Sequence, residues 1–317
     1  MKPSGIGGQA VLEGIMMRNK DKYSVAVRKP DKNIEVKVDT YKGLTEGKKI
    51  MSLPFIRGVF NFIDSMVLGI KTLTYSAEFY EEDNEEETKF DKVADKLFRE
   101  KAEDVLMGIT ILISIAMALG IFVALPSLIS DFIQNRLGIV SVTLISVIEG
   151  IIRILLFIAY ILLISLMGDI KRTFMYHGAE HKCINCIENG LELNVENVMK
   201  SSRYHKRCGT SFIFMVMFIS IVFFIFIRVG NPVLKIVVRL VLVPVIAGIS
   251  YEFIKWAGRN DSGLVRVLSA PGMALQKITT NEPTEDMVEV AIAAVSAVFD
   301  WEEYLKEYHK EDENEKA

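Results

Sequence analysis

Four long apolar runs constrain the fold of this chain more than any other feature. They lie at about residues 105–125, 139–167, 211–229 and 233–254, and each contains almost no charged residues. A helix of ~20 apolar residues spans the ~30 Å hydrocarbon core of a bilayer. We therefore expect a mainly α-helical integral membrane protein with about four transmembrane helices. The second run is too long for one straight span, so residues 139–147 are expected to form an outer-surface helix or an extension.

The distribution of positive charge predicts the orientation in the membrane. Residues 1–104 hold 18 Lys and Arg and residues 169–209 hold seven, whereas the connections at about 126–138 and 230–232 hold only Arg136. Cytoplasmic loops carry the excess of Lys and Arg. We expect a multi-pass protein of the cell membrane with both termini in the cytoplasm. No secretory signal is recognisable in the first hundred residues, which agrees with this orientation.

Three regions follow from these patterns. Residues 1–104 are expected to form a small cytoplasmic, β-containing region, and residues 105–256 a four-helix membrane domain. The membrane domain includes a cytoplasmic loop at 169–210 that resembles a metal-binding segment. Residues 257–317 are expected to form cytoplasmic helices and a charged tail. The formal net charge is −3, and no basic stripe indicates nucleic-acid binding.

Local patterns divide the amino-terminal region further. The segments YSVAVRK and NIEVKVDTY alternate apolar and polar residues on either side of Pro30 and Asp31, which predicts a β-hairpin. Residues 53–73 have helical apolar periodicity with a wide apolar face, which is typical of a helix that lies in the membrane interface or packs on the other helices. Residues 81–104 begin as an acidic linker and are expected to become a charged helix. The four glycines among the first fourteen residues permit tight turns and close backbone approach.

Metal-binding residue types are concentrated in one stretch, Tyr176–Ser211. It contains three of the four histidines and all three cysteines of the chain. His177, Glu180 and His181 form an H-x-x-E-H pattern, which on a helix places both imidazoles on one face, one turn apart. Inverted zinc proteases use this spacing, with two histidine ligands and the glutamate as the base for the attacking water. The pattern predicts a metal site.

In a catalytic version of the site, His177 and His181 bind the metal together with a third group. Glu188, His205 and Cys208 are the candidates for that third ligand, and one coordination position stays open for water. Glu180 then acts as the general base.

In a structural version, Cys183, Cys186, His205 and Cys208 close a Cys3His zinc knuckle, and no chemistry takes place. The reducing cytoplasm argues against a disulfide between the first two cysteines. A third interpretation needs no metal: the group consists of interfacial polar residues, with the cysteines as small apolar fillers.

Ionisable residues also occur within the predicted spans. Glu149 and Arg153 lie four residues apart on one helix, and Arg239 lies in the fourth span. Charged groups in a membrane usually face the bundle interior in pairs. We expect an ion pair between Glu149 and Arg153, shared with Arg239, and the alternative is a polar translocation path.

Four separated motifs give the chain a family resemblance. GGQAVLEGIMMR, YHGAEHK, HKRCGTSF and TTNEPTEDMVEVAIAA together resemble the YqhQ family of bacterial multipass membrane proteins, from about Gly7 to Val298. This is a domain-of-unknown-function family labelled a predicted metal-dependent enzyme. The residues that match the family pattern are Gln9, Glu13, His177, Glu180, His181, His205, Cys208 and Gly209.

The chain departs from that pattern at two places. Cysteines at positions 183 and 186 are not characteristic of the family, and Lys206 stands where proline is common. The first departure weakens the zinc knuckle and favours the histidine–glutamate site. The second leaves the spacing between His205 and Cys208 intact.

The sequence thus predicts a membrane-embedded, zinc-dependent hydrolase with its site at the cytoplasmic membrane face. The expected base is Glu180, the expected ligands are His177, His181, His205 and Cys208, and the expected supporting or substrate-facing residues are Gln9, Glu13, Glu188 and Glu252. The expected partners are the lipid bilayer and a membrane-protein or lipid substrate. The alternative is a non-catalytic membrane factor that assists membrane-protein assembly or binds lipid, with a structural metal or polar cluster.

Overall fold

The computed structural model describes residues 3–80, 105–106, 108–227, 229, 231–260 and 262–316. The acidic linker and charged helix expected at 81–104 lie outside these residues. The chain divides into two compact units. The first unit comprises Met1–Tyr80, Tyr160–Ile219 and Pro244–Ala317, and the second comprises Glu81–Ala159 and Ser220–Val243.

The described helices account for most of the chain. In chain order they are α1 (Ile56–Ala77), α2 (Gly108–Leu137), α3 (Val142–Ile164), α4 (Gly168–Glu188), α5 (Val195–Lys200), α6 (Gly209–Phe226), α7 (Pro232–Ala257), α8 (Gly263–Thr279), α9 (Glu285–Val298) and α10 (Trp301–Lys316). Helices α2, α3, α6 and α7 are long and apolar enough to cross a membrane, which confirms the expectation of four spans.

Two of these spans differ in length from the predicted runs. Helix α2 continues beyond residue 125 to Leu137, because a π-helical turn at Gly120–Ala124 precedes Pro126 and places this proline in the first turn of the following helical segment. A missing N–H is tolerated in a first turn. Helix α3 begins at Val142, so most of residues 139–147 extend the second span.

The amino-terminal region forms a four-stranded antiparallel sheet in the order β1-β2-β3-β4. The strands are β1 (Gly7–Val11), β2 (Gly14–Asn19), β3 (Lys22–Arg28) and β4 (Ile34–Thr40). The β3–β4 hairpin confirms the prediction from alternating residues. The β1–β2 hairpin was not predicted, because its glycines and its nearly continuous apolar run obscure the alternation. Gly14 has a packing role, since a Cβ there would lie 2.3 Å from the Ala26 carbonyl oxygen.

Both faces of β2 and β3 are covered, which explains why these strands are apolar along most of their length, whereas β4 is largely exposed. Successive side chains of a strand point to opposite faces. Ile15, Met17 and Ala26 belong to a core shared with α4 and α9. Met16 and Val25 belong to a second core, which includes Leu68 of α1. The sheet is therefore packed between α1 on one side and α4 with α9 on the other.

Helix α1 has an unusual distribution of side chains. Its buried residues are small or polar with one exception: Gly58, Asp64, Leu68, Gly69, Thr72 and Ser76. Its large apolar residues are exposed, among them Phe62, Ile63, Met66, Val67 and Leu73. The helix packs against the spans of its own unit, because the Phe62 and Phe212 rings lie 5.4 Å apart and Gly58 allows close approach to Gly248 of α7.

The second unit contains a cluster of buried charges. Glu149 is 2 % exposed, and its carboxylate accepts a hydrogen bond from Arg153 Nη2 at 3.2 Å and pairs with Arg239. The expected ion pairs are therefore confirmed. Lys235 Nζ also lies 3.5 Å from Glu149 and 2.7 Å from Asp131. Three cations and two carboxylates are thus held together in an apolar helical unit.

Candidate metal site

His177 and His181 lie on α4 with their ring centroids 4.4 Å apart, as the spacing of four residues predicts. The Nδ1–H of His177 donates to the Thr279 carbonyl oxygen at 2.9 Å, and the Nδ1–H of His181 donates to the Arg203 carbonyl oxygen at 2.7 Å. A carbonyl only accepts hydrogen bonds, so each Nδ1 carries a proton. Such bonds fix the orientation of metal-binding imidazoles and leave Nε2 as the atom that can bind the metal.

Cys208 completes a group of three ligand atoms. Its Sγ lies 3.3 Å from His177 Nε2, and one ligand atom from each of His177, His181 and Cys208 lies within 4.8 Å of the others. The thiol precedes α6, and Thr210 donates its backbone N–H to the sulfur at 3.4 Å. Two imidazoles and a thiolate can hold a metal ion of the zinc type. We call these three residues the His–Cys cluster.

The electrostatics of the cluster favour a thiolate. Burial raises the pKa of the Cys208 thiol, but the charges of and hydrogen bonds with His177 and His181 outweigh burial and hold this pKa well below its usual range. Burial lowers the pKa of His177, while the charge on Cys208 and its hydrogen bond raise it to about 9. Both shifts favour a thiolate facing an imidazolium. Metal ligands must be deprotonated, so a metal would take the place of the proton between Sγ and Nε2.

Glu180 lies beside the cluster on the same helix. Its Oε2 is 3.9 Å from His177 Nε2 and 3.8 Å from His181 Nε2, and the residue is 5 % exposed. Strand β1 passes over it at Gly8, where a Cβ would lie 2.8 Å from Glu180 Cγ. The carboxylate is therefore close enough to act on a molecule bound at the cluster.

His205 and Glu188 form a neighbouring polar network. His205 Nε2 lies 3.4 Å from Glu188 Oε2, and Glu188 also pairs with Arg207 and accepts two hydrogen bonds from Ser4 at 2.7 Å. Burial raises the pKa of Glu188, but His205, Arg207 and Ser4 outweigh it and lower the pKa to about 2. Of the candidates for a third ligand, the structure brings Cys208 to the two imidazoles and pairs His205 with Glu188.

The remaining predicted residues lie outside the cluster. Glu13 pairs with Arg172 and accepts a hydrogen bond from the Tyr176 hydroxyl at 3.3 Å. Glu252 accepts two hydrogen bonds of 2.6 Å from the guanidinium of Arg57. Gln9 packs its side-chain amide against α1, where a Cβ on Gly69 would lie 2.5 Å from its oxygen.

The cysteines of the alternative zinc knuckle do not join His205 and Cys208. Cys183 and Cys186 are buried in the apolar core between the sheet, α4 and α9, and within the described residues neither belongs to a group of metal-ligating atoms. Burial raises the pKa of both thiols, that of Cys186 to about 11. Neutral, buried thiols of this kind behave as small apolar side chains.

Several residues that shape the site were not found from the sequence. The carbonyl groups of Thr279 and Arg203 orient the imidazoles, and Gly8 and Gly178 let other segments approach α4. Backbone carbonyls carry no sequence signal. Gly178 does carry one, because a glycine inside a helix costs ~1 kcal/mol relative to alanine and so indicates a packing role.

We expect Gly178→Ala to distort the site. Its Cβ would lie 2.1 Å from the Asn281 carbonyl oxygen, a backbone atom held in place by the hydrogen bond from Asn281 N to the Phe174 carbonyl. Relief requires a shift of the segment that includes Thr279, the partner of His177. The expected cost is about 1–3 kcal/mol of stability and about tenfold or more in metal affinity.

Thermal unfolding and zinc titration of the purified variant measure both effects. Gly168→Ala is the matched control, since a Cβ at that position of α4 meets no atom within 4 Å. Equal stability and zinc affinity of the two variants would contradict the prediction.

Comparison with known proteins identifies a family, but the family description names no reaction. A family profile described as "Protein of unknown function (DUF1385)" matches residues 53–301. The chain is 30% identical over 321 residues to "Uncharacterized protein YqhQ" of Bacillus subtilis (strain 168), covering 98% of each chain. No solved structure matches.

Proposed function

Because the chain belongs to the DUF1385 family, whose description assigns no reaction, we propose a function from the geometry of the His–Cys cluster. The protein is a membrane-embedded, zinc-dependent hydrolase with its site at the cytoplasmic face of the cell membrane. His177, His181 and Cys208 bind the metal, and Glu180 is the general base. The substrate is a membrane protein or a lipid.

One observation carries this proposal. Two imidazoles have their Nδ1 protons committed to backbone carbonyls, and their remaining ligand atoms converge with a buried thiol that favours the thiolate. Three ligands from the protein are the number found in catalytic zinc sites, where the fourth position is open. Two nitrogen ligands and a sulfur ligand suit zinc better than magnesium or calcium.

When bound, zinc supplies Lewis-acid chemistry, which activates water and polarises a carbonyl or phosphoryl oxygen. Glu180 accepts the proton of the attacking water, because its carboxylate lies within 4 Å of both imidazole Nε2 atoms and is shielded from solvent. The Thr279 and Arg203 carbonyls hold the imidazoles in the orientation that metal binding requires.

The proposed location rests on the spans and the charge pattern. Four helices have the length and composition to cross a membrane. The cluster lies close to the amino-terminal end of α6, since Cys208 precedes Gly209. Residues 169–209 carry seven Lys and Arg, which supports a cytoplasmic position for this side of the spans.

We expect Glu180→Gln to retain zinc and to lose hydrolysis by about 10²–10⁴-fold, because the amide cannot accept the proton. The zinc-loaded full chain is placed in phospholipid nanodiscs with membrane peptides, and products are identified by mass spectrometry. Glu192→Gln, an exposed glutamate beyond α4, is the matched control. Identical products from wild type and Glu180→Gln would contradict the catalytic assignment.

The burial of His181 and Cys208 favours a second candidate, in which the metal only stabilises the segment between α4 and α6. Such a protein would assist membrane-protein assembly or bind lipid without catalysis. It predicts that metal removal unfolds this segment and that Glu180→Gln has no effect. Hydrogen exchange of residues 195–210 with and without a chelator, compared with the Glu180→Gln result, separates the two functions.

A further inference from the structure

A cleft of about 420 Å³ lies between β1 and α1, apart from the His–Cys cluster. Its polar lining comes from Gln9, Arg18, Lys20, Asn61, Ser65 and Tyr251. Gly5, Gly7 and Gly8 also line it. The proposed hydrolysis uses none of these side chains.

The charge of the cleft is positive. Arg18 and Lys20 are the charged residues of its lining, and among the described residues neither forms an ion pair. Arg18 donates its Nε–H to the Lys20 carbonyl at 2.8 Å and stacks over Tyr41 at 5.4 Å, which holds the guanidinium in place. An adjacent groove of about 300 Å³ shares both cations and adds Asp21, Glu46 and Asp64, but these carboxylates do not line the cleft.

Neutral hydrogen-bonding groups from α1 and α7 also line the cleft. Asn61 donates a hydrogen bond to the Tyr251 hydroxyl at 2.8 Å, and Ser65 donates to the Asn61 carbonyl at 2.8 Å. Asn61 keeps a second amide N–H and Tyr251 its hydroxyl proton, whereas Ser65 uses its proton on the Asn61 carbonyl. Two cations that form no ion pair among the described residues, together with these two donors, suit a phosphate group, which accepts several charge-assisted hydrogen bonds.

The residues of α1 around the cleft indicate which class of phosphate compound it would bind. Asn61, Ser65 and Leu68 face the cleft, while Phe62 and Met66 on the same helix are exposed apolar residues. Helix α1 packs on α6 and α7, which have the composition of membrane spans. A polar site beside an exposed apolar helix face matches the headgroup and acyl chains of a phospholipid. We propose that this cleft binds the phosphate-bearing headgroup of a membrane lipid.

The test measures binding of short-chain lipids to the full chain in detergent micelles by isothermal titration calorimetry. Dihexanoyl phosphatidic acid is expected to bind, whereas dihexanoylglycerol, which lacks the phosphate, is not. Arg18→Gln combined with Lys20→Gln is expected to weaken binding at least tenfold. Each charge-assisted hydrogen bond contributes enough binding free energy for about a tenfold change in affinity. Lys22→Gln, an exposed lysine on β3 outside the cleft, is the matched control and keeps wild-type affinity.

A second variant fills the cleft without removing charge. A Cβ on Gly7 meets no atom within 4 Å, so Gly7→Phe is expected to occupy the cleft and abolish binding while the unfolding temperature is kept. The zinc content of the same samples is measured, since this proposal does not depend on the metal. Lipid affinity unchanged in both variants would overturn the site. Inorganic phosphate binding as tightly as the lipid would assign a soluble phosphate compound and overturn the lipid source.

Discussion

We expect the wild-type protein to bind about one zinc ion per chain and His177→Ala to lose this metal. The variant keeps His181 and Cys208, but two ligands cannot provide the apparent binding free energy of ~10–16 kcal/mol that complete zinc sites reach. We expect affinity to fall by more than about hundredfold. Elemental mass spectrometry of the detergent-purified protein gives the stoichiometry, and competition with a chromophoric chelator gives the affinity.

The controls for this result separate the two arrangements of ligands. Cys208→Ser is expected to lose the metal as well, because its Sγ lies 3.3 Å from His177 Nε2. Cys183→Ala and His205→Ala are expected to keep it, since the first residue is in the apolar core and the second pairs with Glu188. Metal lost from Cys183→Ala and kept by His177→Ala would favour the zinc knuckle. Wild-type protein that binds no zinc would refute the metal site altogether.

Glu149→Gln is expected to cause a large loss of stability. Glu149 is the shared partner of Arg153, Arg239 and Lys235 in an apolar helical unit. Glutamine keeps the shape of the side chain but removes the charge. Breaking a buried ion pair from one side costs about 3–5 kcal/mol, because it leaves an uncompensated buried charge.

Thermal unfolding of the variant in detergent micelles measures this effect. Asp131→Asn is the matched control, since Asp131 is more exposed and its one ion-pair partner among the described residues is Lys235. Its expected cost is about 1 kcal/mol or less. If Glu149→Gln unfolds at the wild-type temperature, the charge cluster does not stabilise the helices, and the translocation path becomes the better explanation of these residues.

Features set by neighbours along the chain were predictable from the sequence. The four spans follow from apolar runs, and the β3–β4 hairpin follows from alternation around Pro30 and Asp31. The approach of His177 to His181 follows from the helical repeat, because residues four apart lie on the same helix face. The pairing of Glu149 with Arg153 has the same origin.

Strand pairing at the amino terminus was harder to predict. Residues 7–19 form a hairpin whose strands are covered on both faces, so they lack the alternation of a half-exposed strand. The continuation of α2 past Pro126 was missed for a related reason. A π-helical turn accommodates the proline, and such a turn has no clear sequence signature.

The sequence alone determined the membrane class, the number of spans and the helix that carries the two imidazoles, because each depends on the local period of apolar or polar residues. Only the tertiary structure decided which distant groups meet that helix. It brings Cys208 to His177, pairs His205 with Glu188, and places Gly8 over Glu180. These contacts join residues 17 to 172 positions apart, and they depend on packing between elements, which no local period encodes.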